Sequence, residues 1–189
     1  IHEGFTAYSE NIFLDYHYGT EASADYVIGT RRNIQNDTPI IGTYNVNSEG
    51  SSDMYYKGAN MLHTLRQLIK DDEKWRQLLR GLNKTFYHQT VTTKDIEDFV
   101  STFSGLNLTA FFNQYLRDIR IPTLEYSIQK NKLSYQWTNV VESFEMPIEI
   151  EVNGKTQWLY PTTVLQKTKI DASEISIDRD YYIGYKQLN

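Results

Sequence analysis

The hydrophobic period changes once along this chain of 189 residues, from helical to strand spacing, close to Ile121-Pro122. Before that point apolar residues recur every three or four positions; after it they alternate with polar ones. A helical stretch followed by a run of strands predicts an α+β protein rather than alternating βαβ units. The boundary is placed near residue 119, with residues 1–118 helical and residues 119–189 forming a small antiparallel β-sandwich.

Within the first part, Phe5, Tyr8, Ile12 and Tyr16 stand at helical spacing over residues 1–18, and Gly19 is a natural stop. Ala24, Val27 and Ile28 predict a second helix over about residues 22–33. Gln35 to Ser52 is rich in Asn, Thr, Ser and Gly and reads as a long loop, the kind of segment that often lines a site. Met61, Leu62, Leu65, Leu68 and Ile69 form the next stripe, then Trp75, Leu78, Leu79 and Leu82 behind the capping candidates Asp71 and Asp72. Thr92 or Thr93 can cap a helix carrying Ile96, Phe99, Val100 and Phe103, and a last one holds Leu108, Phe111, Phe112, Tyr115 and Leu116.

In the second part Leu124, Tyr126 and Ile128, then Leu133, Tyr135 and Trp137, alternate on either side of Asn131. Asn153-Gly154, between Ile148-Ile150-Val152 and Thr156-Trp158-Tyr160, is the strongest hairpin signal in the chain. Residues 164–170 and 176–185 bring the count to six or seven short strands. Fifteen tyrosines suit strands and interfaces before they indicate any ligand.

Charge narrows the partners. Residues 1–52 carry seven acids (Glu3, Glu10, Asp15, Glu21, Asp25, Asp37, Glu49) against Arg31 and Arg32, so the whole net charge of -5 falls in the first quarter. Such a field attracts a metal ion or a free amino terminus and repels phosphate, which argues against nucleic acid; a merely solvated acidic face is the plain alternative. The absence of cysteine excludes thiolate zinc sites, disulfides and a thiol nucleophile. No apolar run reaches the roughly 18 residues of a membrane span. The chain begins without Met, directly in a helical pattern, which leads us to expect further sequence upstream or a removed leader. Its residue bias is compatible with an exported bacterial protein.

Glu3 and Glu10 are two helical turns apart, so both carboxylates project from one face, where they could hold a metal, share a proton or be solvated. His2-Glu3 opens an apparent HExxH, but Thr6 stands where the second imidazole belongs, so the zinc signature fails here. His17 and His63 read as surface or packed histidines, and His88 sits in a loop. Tyr55, at the start of a helix, can present its phenol to a cavity or simply pack.

Read together, two segments resemble a known family. His2-Glu3-Gly4-Phe5-Thr6-Ala7-Tyr8-Ser9-Glu10 resembles the NEGFAxYxE element of aminopeptidase N and leukotriene hydrolase relatives, and Tyr55-Tyr56-Lys57-Gly58-Ala59 resembles their YxKGA element, in the same order. Thr92 to Asp95, Asp98-Phe99, Leu108 to Phe112 and Gln114 to Leu116 resemble the closing helices of that catalytic domain. The resemblance implies the helical second half of a thermolysin-like domain with an appended β-sandwich. It also implies that Glu3 is the third zinc ligand, about 18 residues after an HExxH helix that this chain lacks. Tyr55 then corresponds to the residue that hydrogen-bonds the tetrahedral oxyanion, a role worth about 3 to 4 kcal/mol, and Glu10 to a supporting carboxylate.

The implied parent is a Zn²⁺ metallo-aminopeptidase acting on peptides, with a zinc-activated water as nucleophile. This chain alone, holding Glu3 without the histidines or the general base, is expected to hold no zinc at Glu3 and to be inactive. The competing reading is a non-catalytic peptide-binding or scaffolding module of the same family; a carbohydrate-binding sandwich accounts only for residues 120–189.

Overall fold

The computed structural model describes residues 1–43, 45–47 and 50–189; the part of the expected loop at Tyr44, Ser48 and Glu49 lies outside the described residues. Among the described residues six helices come first: α1 (His2–Tyr18), α2 (Thr20–Thr30, continued by a 3-10 turn Arg31–Asn33), α3 (Asp53–Ile69), α4 (Asp72–Thr85), α5 (Thr93–Ser104) and α6 (Thr109–Arg117). Seven strands follow: β1 (Thr123–Gln129), β2 (Lys132–Thr138), β3 (Ile148–Val152), β4 (Lys155–Leu159), β5 (Gln166–Lys169), β6 (Ser176–Ile177) and β7 (Gly184–Gln187). The class is α+β, with the change of period where the sequence puts it. None of the described helices is long and apolar enough to cross a membrane.

Local chemistry sets most boundaries. Gly19, at φ 90°, separates α1 from α2, and its N–H donates to the Asp15 carbonyl at 3.1 Å. Asp71 caps α4 by accepting from the Lys74 N–H. Thr92 and Asp95 form a reciprocal capping box at α5, satisfying two N–H groups that no helical carbonyl can reach. The β1–β2 turn places Lys130 and Asn131 at φ 49° and 59°, and the β3–β4 turn places Asn153 and Gly154 at 49° and 74°. Both are two-residue turns with left-handed centres, which match the twist of paired strands.

The strands make two sheets, ordered β5-β2-β1-β7 and β4-β3-β6. One pair departs from the antiparallel expectation: β7 runs parallel to β1, with Thr123 opposite Gly184 and Tyr126 opposite Gln187. The cause is the segment before it. Residues 178–183 return across the helices, where Tyr115 Oη donates to the Tyr182 carbonyl at 2.8 Å and the Tyr182 N–H donates to Thr64 Oγ1 at 2.9 Å.

Buried apolar side chains form one cluster through both halves. It runs from Tyr8, Met61, Leu62, Leu65, Trp75 and Leu78 through Phe111 and Tyr115 to Leu124, Trp137 and Ile148. The first helix follows its apolar spacing only in its first half, where Tyr8 is buried and Phe5 packs against the core. Gly4, Tyr8 and Asn11 face inward, while Ile12 and Tyr16 are exposed. The close approach of α1 to α3 selects the face bearing Gly4, and Asn11 is acceptable there because its amide and carbonyl exchange hydrogen bonds with Ser23 at 2.9 Å.

Candidate active site at the crossing of two helices

Gly4 of α1 and Gly58 of α3 meet backbone to backbone. A Cβ on Gly58 would lie 2.9 Å from the Gly4 Cα, and one on Gly4 would lie 3.0 Å from the Gly58 Cα and 3.3 Å from the Met54 carbonyl oxygen. Only glycine at both positions permits this approach. Glu3 is the neighbour of Gly4, and Tyr55 follows Met54 one turn before Gly58. The two sequence elements therefore come together at one helix crossing, Glu3 in the first turn of α1 and Tyr55 in the first turn of α3.

Glu3 keeps about a quarter of its side chain exposed and has His2 Nε2 at 3.1 Å. Tyr55 is 40% exposed, and its N–H is held by the Ser52 carbonyl at 3.3 Å. The start of α3 is fixed by Asp53, whose buried carboxylate accepts from the Gln35 N–H at 2.8 Å and the Asn36 N–H at 2.7 Å. Below it Lys57 is fully buried and donates to the Asp118 carbonyl at 2.9 Å. Burial lowers the pKa of that amine, against the attraction of Asp53 and Asp118. Asp53 and Lys57 were not legible as anchors, because nothing local marks a charged residue as buried.

Glu10 is committed elsewhere. It accepts a short hydrogen bond from Tyr26 of α2, and that bond is the main reason the Tyr26 phenol is pushed up to about 12. Glu3 and Glu10 thus have separate partners, one in its own helix and one in the next.

Much of the acidic first quarter is occupied in the same manner. Asp15 pairs with Arg66 at 2.8 Å, Asp25 with Arg179 at 2.6 Å, and Asp37 accepts from the Thr38 N–H and Ser51 Oγ. The field that the sequence suggests is therefore partly spent on internal contacts. His17 and His88 lie at the surface, whereas His63 is packed, with Tyr8 Oη 3.5 Å from its Nδ1 and Asp180 Oδ1 3.3 Å from its Nε2.

Among the described residues no group of three or more His, Asp or Glu side chains is arranged to hold a metal ion. One carboxylate at Glu3 with the neighbouring His2 is an incomplete donor set for zinc, which takes three protein ligands and a water in catalytic sites.

No family model and no curated protein matches the chain. Among solved structures it is similar to Legionella pneumophila aminopeptidase A, determined in complex with aspartic acid. The identity is 15%, the TM-score 0.66, and the alignment covers 99% of this chain and 24% of that one. The likeness is one of fold, an aminopeptidase-like arrangement of these helices and strands, and this chain spans about a quarter of that structure's length.

Proposed function

We propose that residues 1–118 belong to the catalytic domain of a zinc metallo-aminopeptidase and residues 119–189 to a unit appended to it. Glu3 then serves as a metal-ligand position and Tyr55 as the oxyanion donor. The observation that carries this reading is the Gly4–Gly58 contact, which joins the two family-like elements at a single crossing although about fifty residues separate them. The extent of the fold likeness to an aminopeptidase supports it as well.

The residues of this chain supply one oxygen ligand and one phenol O–H donor. They do not supply the remaining ligands or a general base, so no hydrolytic step is assigned to the chain by itself. A longer polypeptide carrying HExxH ahead of Glu3 is the form in which the site is complete. The test has two arms. The 189-residue chain should neither retain stoichiometric zinc nor cleave an aminoacyl arylamide. A longer polypeptide with the upstream helix should do both and lose its zinc on Glu3→Gln. Zinc retention unaffected by that substitution would remove Glu3 from the site.

A further inference from the structure

The two sheets leave two strand edges open beside one another. β7 is the outer strand of the four-stranded sheet and β6 the outer strand of the three-stranded one. Residues from both line a groove of about 450 Å³, whose walls include Tyr126, Glu151, Asn153, Glu174, Ser176 and Tyr185. An outer strand carries backbone N–H and C=O groups along its free side that no neighbour in the sheet satisfies.

The groove also has an uncovered aromatic wall. Tyr185 stands in register with Leu124, which is completely buried, yet Tyr185 itself is 64% exposed. The sheet face that is covered at Leu124 is therefore open at its edge, because β6 spans only Ser176–Ile177.

Charge chooses between occupants. Glu151 and Glu174 line the groove, and among the described residues no Lys or Arg does. Among the described residues neither carboxylate has an ion-pair partner, whereas the nearby Glu125 has Lys186 at 3.7 Å. Two unpaired carboxylates beside the one exposed phenol ring, that of Tyr185, favour an ammonium or guanidinium group, held by charge and by the ring face together. A neutral saccharide can hydrogen-bond to the carboxylates but leaves both charges unpaired, and a phosphate-bearing ligand is repelled by them.

We propose that this groove binds an extended peptide segment bearing Lys or Arg, which adds as a strand along the free edge of β7. Main-chain hydrogen bonds to β7 supply the pairing, and the side-chain alternation of an extended peptide places one basic side chain between Tyr185 and the two carboxylates. The proposal is independent of the roles assigned to Glu3 and Tyr55.

The experiment uses the whole chain and two fluorescein-labelled peptides, Thr-Lys-Val-Lys-Thr-Val and Thr-Glu-Val-Glu-Thr-Val, followed by anisotropy at low and high salt. The basic peptide should bind at least about ten-fold more tightly, and the gap should narrow as salt screens the carboxylates. Replacing both exposed carboxylates (Glu151→Gln with Glu174→Gln) should weaken the basic peptide about five-fold without altering the circular dichroism spectrum. Amide exchange should slow at residues 184–187 when it is bound. Equal binding of the two peptides, no binding of the basic one, insensitivity to the double substitution, or protection outside this edge would each overturn the proposal. So would self-association of the chain that occupies the edge and excludes the peptide.

Discussion

Gly4 and Gly58 lie so close that neither can carry a side chain without moving a helix: the Cβ of an alanine at 58 would sit 2.9 Å from the Gly4 Cα. Their contact sets the spacing of α1 and α3, and with it the relation between Glu3 and Tyr55.

Gly58→Ala should therefore destabilise the chain even though alanine is the better helix former. The propensity gain of about 1 kcal/mol is outweighed by overpacking against backbone, which costs about 1–3 kcal/mol. The net loss of roughly 1 kcal/mol corresponds to a fall of about 2–4 °C in Tm for a chain of this size. Gly29→Ala in α2 is the control, since nothing lies within 4 Å of a Cβ there, and it should hold or raise Tm. Thermal melts of both variants decide the matter; a Gly58→Ala Tm at or above that of the unsubstituted chain contradicts the close approach.

Lys57 tests whether a buried charge is needed or merely accommodated. Its amine is desolvated and donates to one carbonyl, that of Asp118. Both substitutions leave the Asp118 carbonyl without its donor and remove the desolvation cost, but Lys57→Met keeps the stem whereas Lys57→Ala leaves a cavity as well. Urea denaturation should show the alanine variant losing about 2–4 kcal/mol and the methionine variant less than half of that. Equal losses would mean that the hydrogen bond, not the packing of the stem, dominates.

Asp180 gives the acid side of the stability profile. His63 is the main reason its pKa is lowered in the folded state, with help from Arg179 and Arg31. A depressed folded pKa contributes stability above the unfolded value of about 4 and loses it as pH falls through the lower folded value. Urea midpoints between pH 6 and pH 2.5 should drop on acidification, and Asp180→Asn should flatten that drop while lowering the plateau at pH 6. An unchanged acid slope in the variant would show that Asp180 is not one of the groups responsible.

The parts of this fold that could be read from the sequence are those decided within a few residues. Thr92 with Asp95, Asp71 before α4, and Asn153-Gly154 announce themselves because the cap or turn is made by the residues named. Of the inward face of α1, Tyr8 is legible but Gly4 and Asn11 are not, since they depend on where α3 crosses, and that crossing depends on Gly58, more than fifty positions away in the chain. The parallel pairing of β7 was equally hidden. It follows from the hold of Thr64 and Tyr115 on Tyr182, contacts that span 118 and 67 residues. Of the candidate site, the residue types and their order could be read in advance, whereas the glycine contact that joins them could not.

Tyr55 carries the most direct test of the proposed chemistry. Its side chain is 40% exposed and its position is fixed by the start of α3, so Tyr55→Phe removes a phenol O–H with little effect on packing. In the 189-residue chain the substitution should leave Tm unchanged within about 1 °C, as expected for a surface change. In a longer polypeptide that completes the site, losing an oxyanion donor should lower kcat about 10²- to 10³-fold. KM should stay nearly constant, because the hydrogen bond strengthens only as charge develops on the carbonyl oxygen. Tyr55→Phe with full activity removes Tyr55 from that role. A rise in KM with kcat preserved assigns it to substrate binding instead, where the phenol contributes equally before and during reaction.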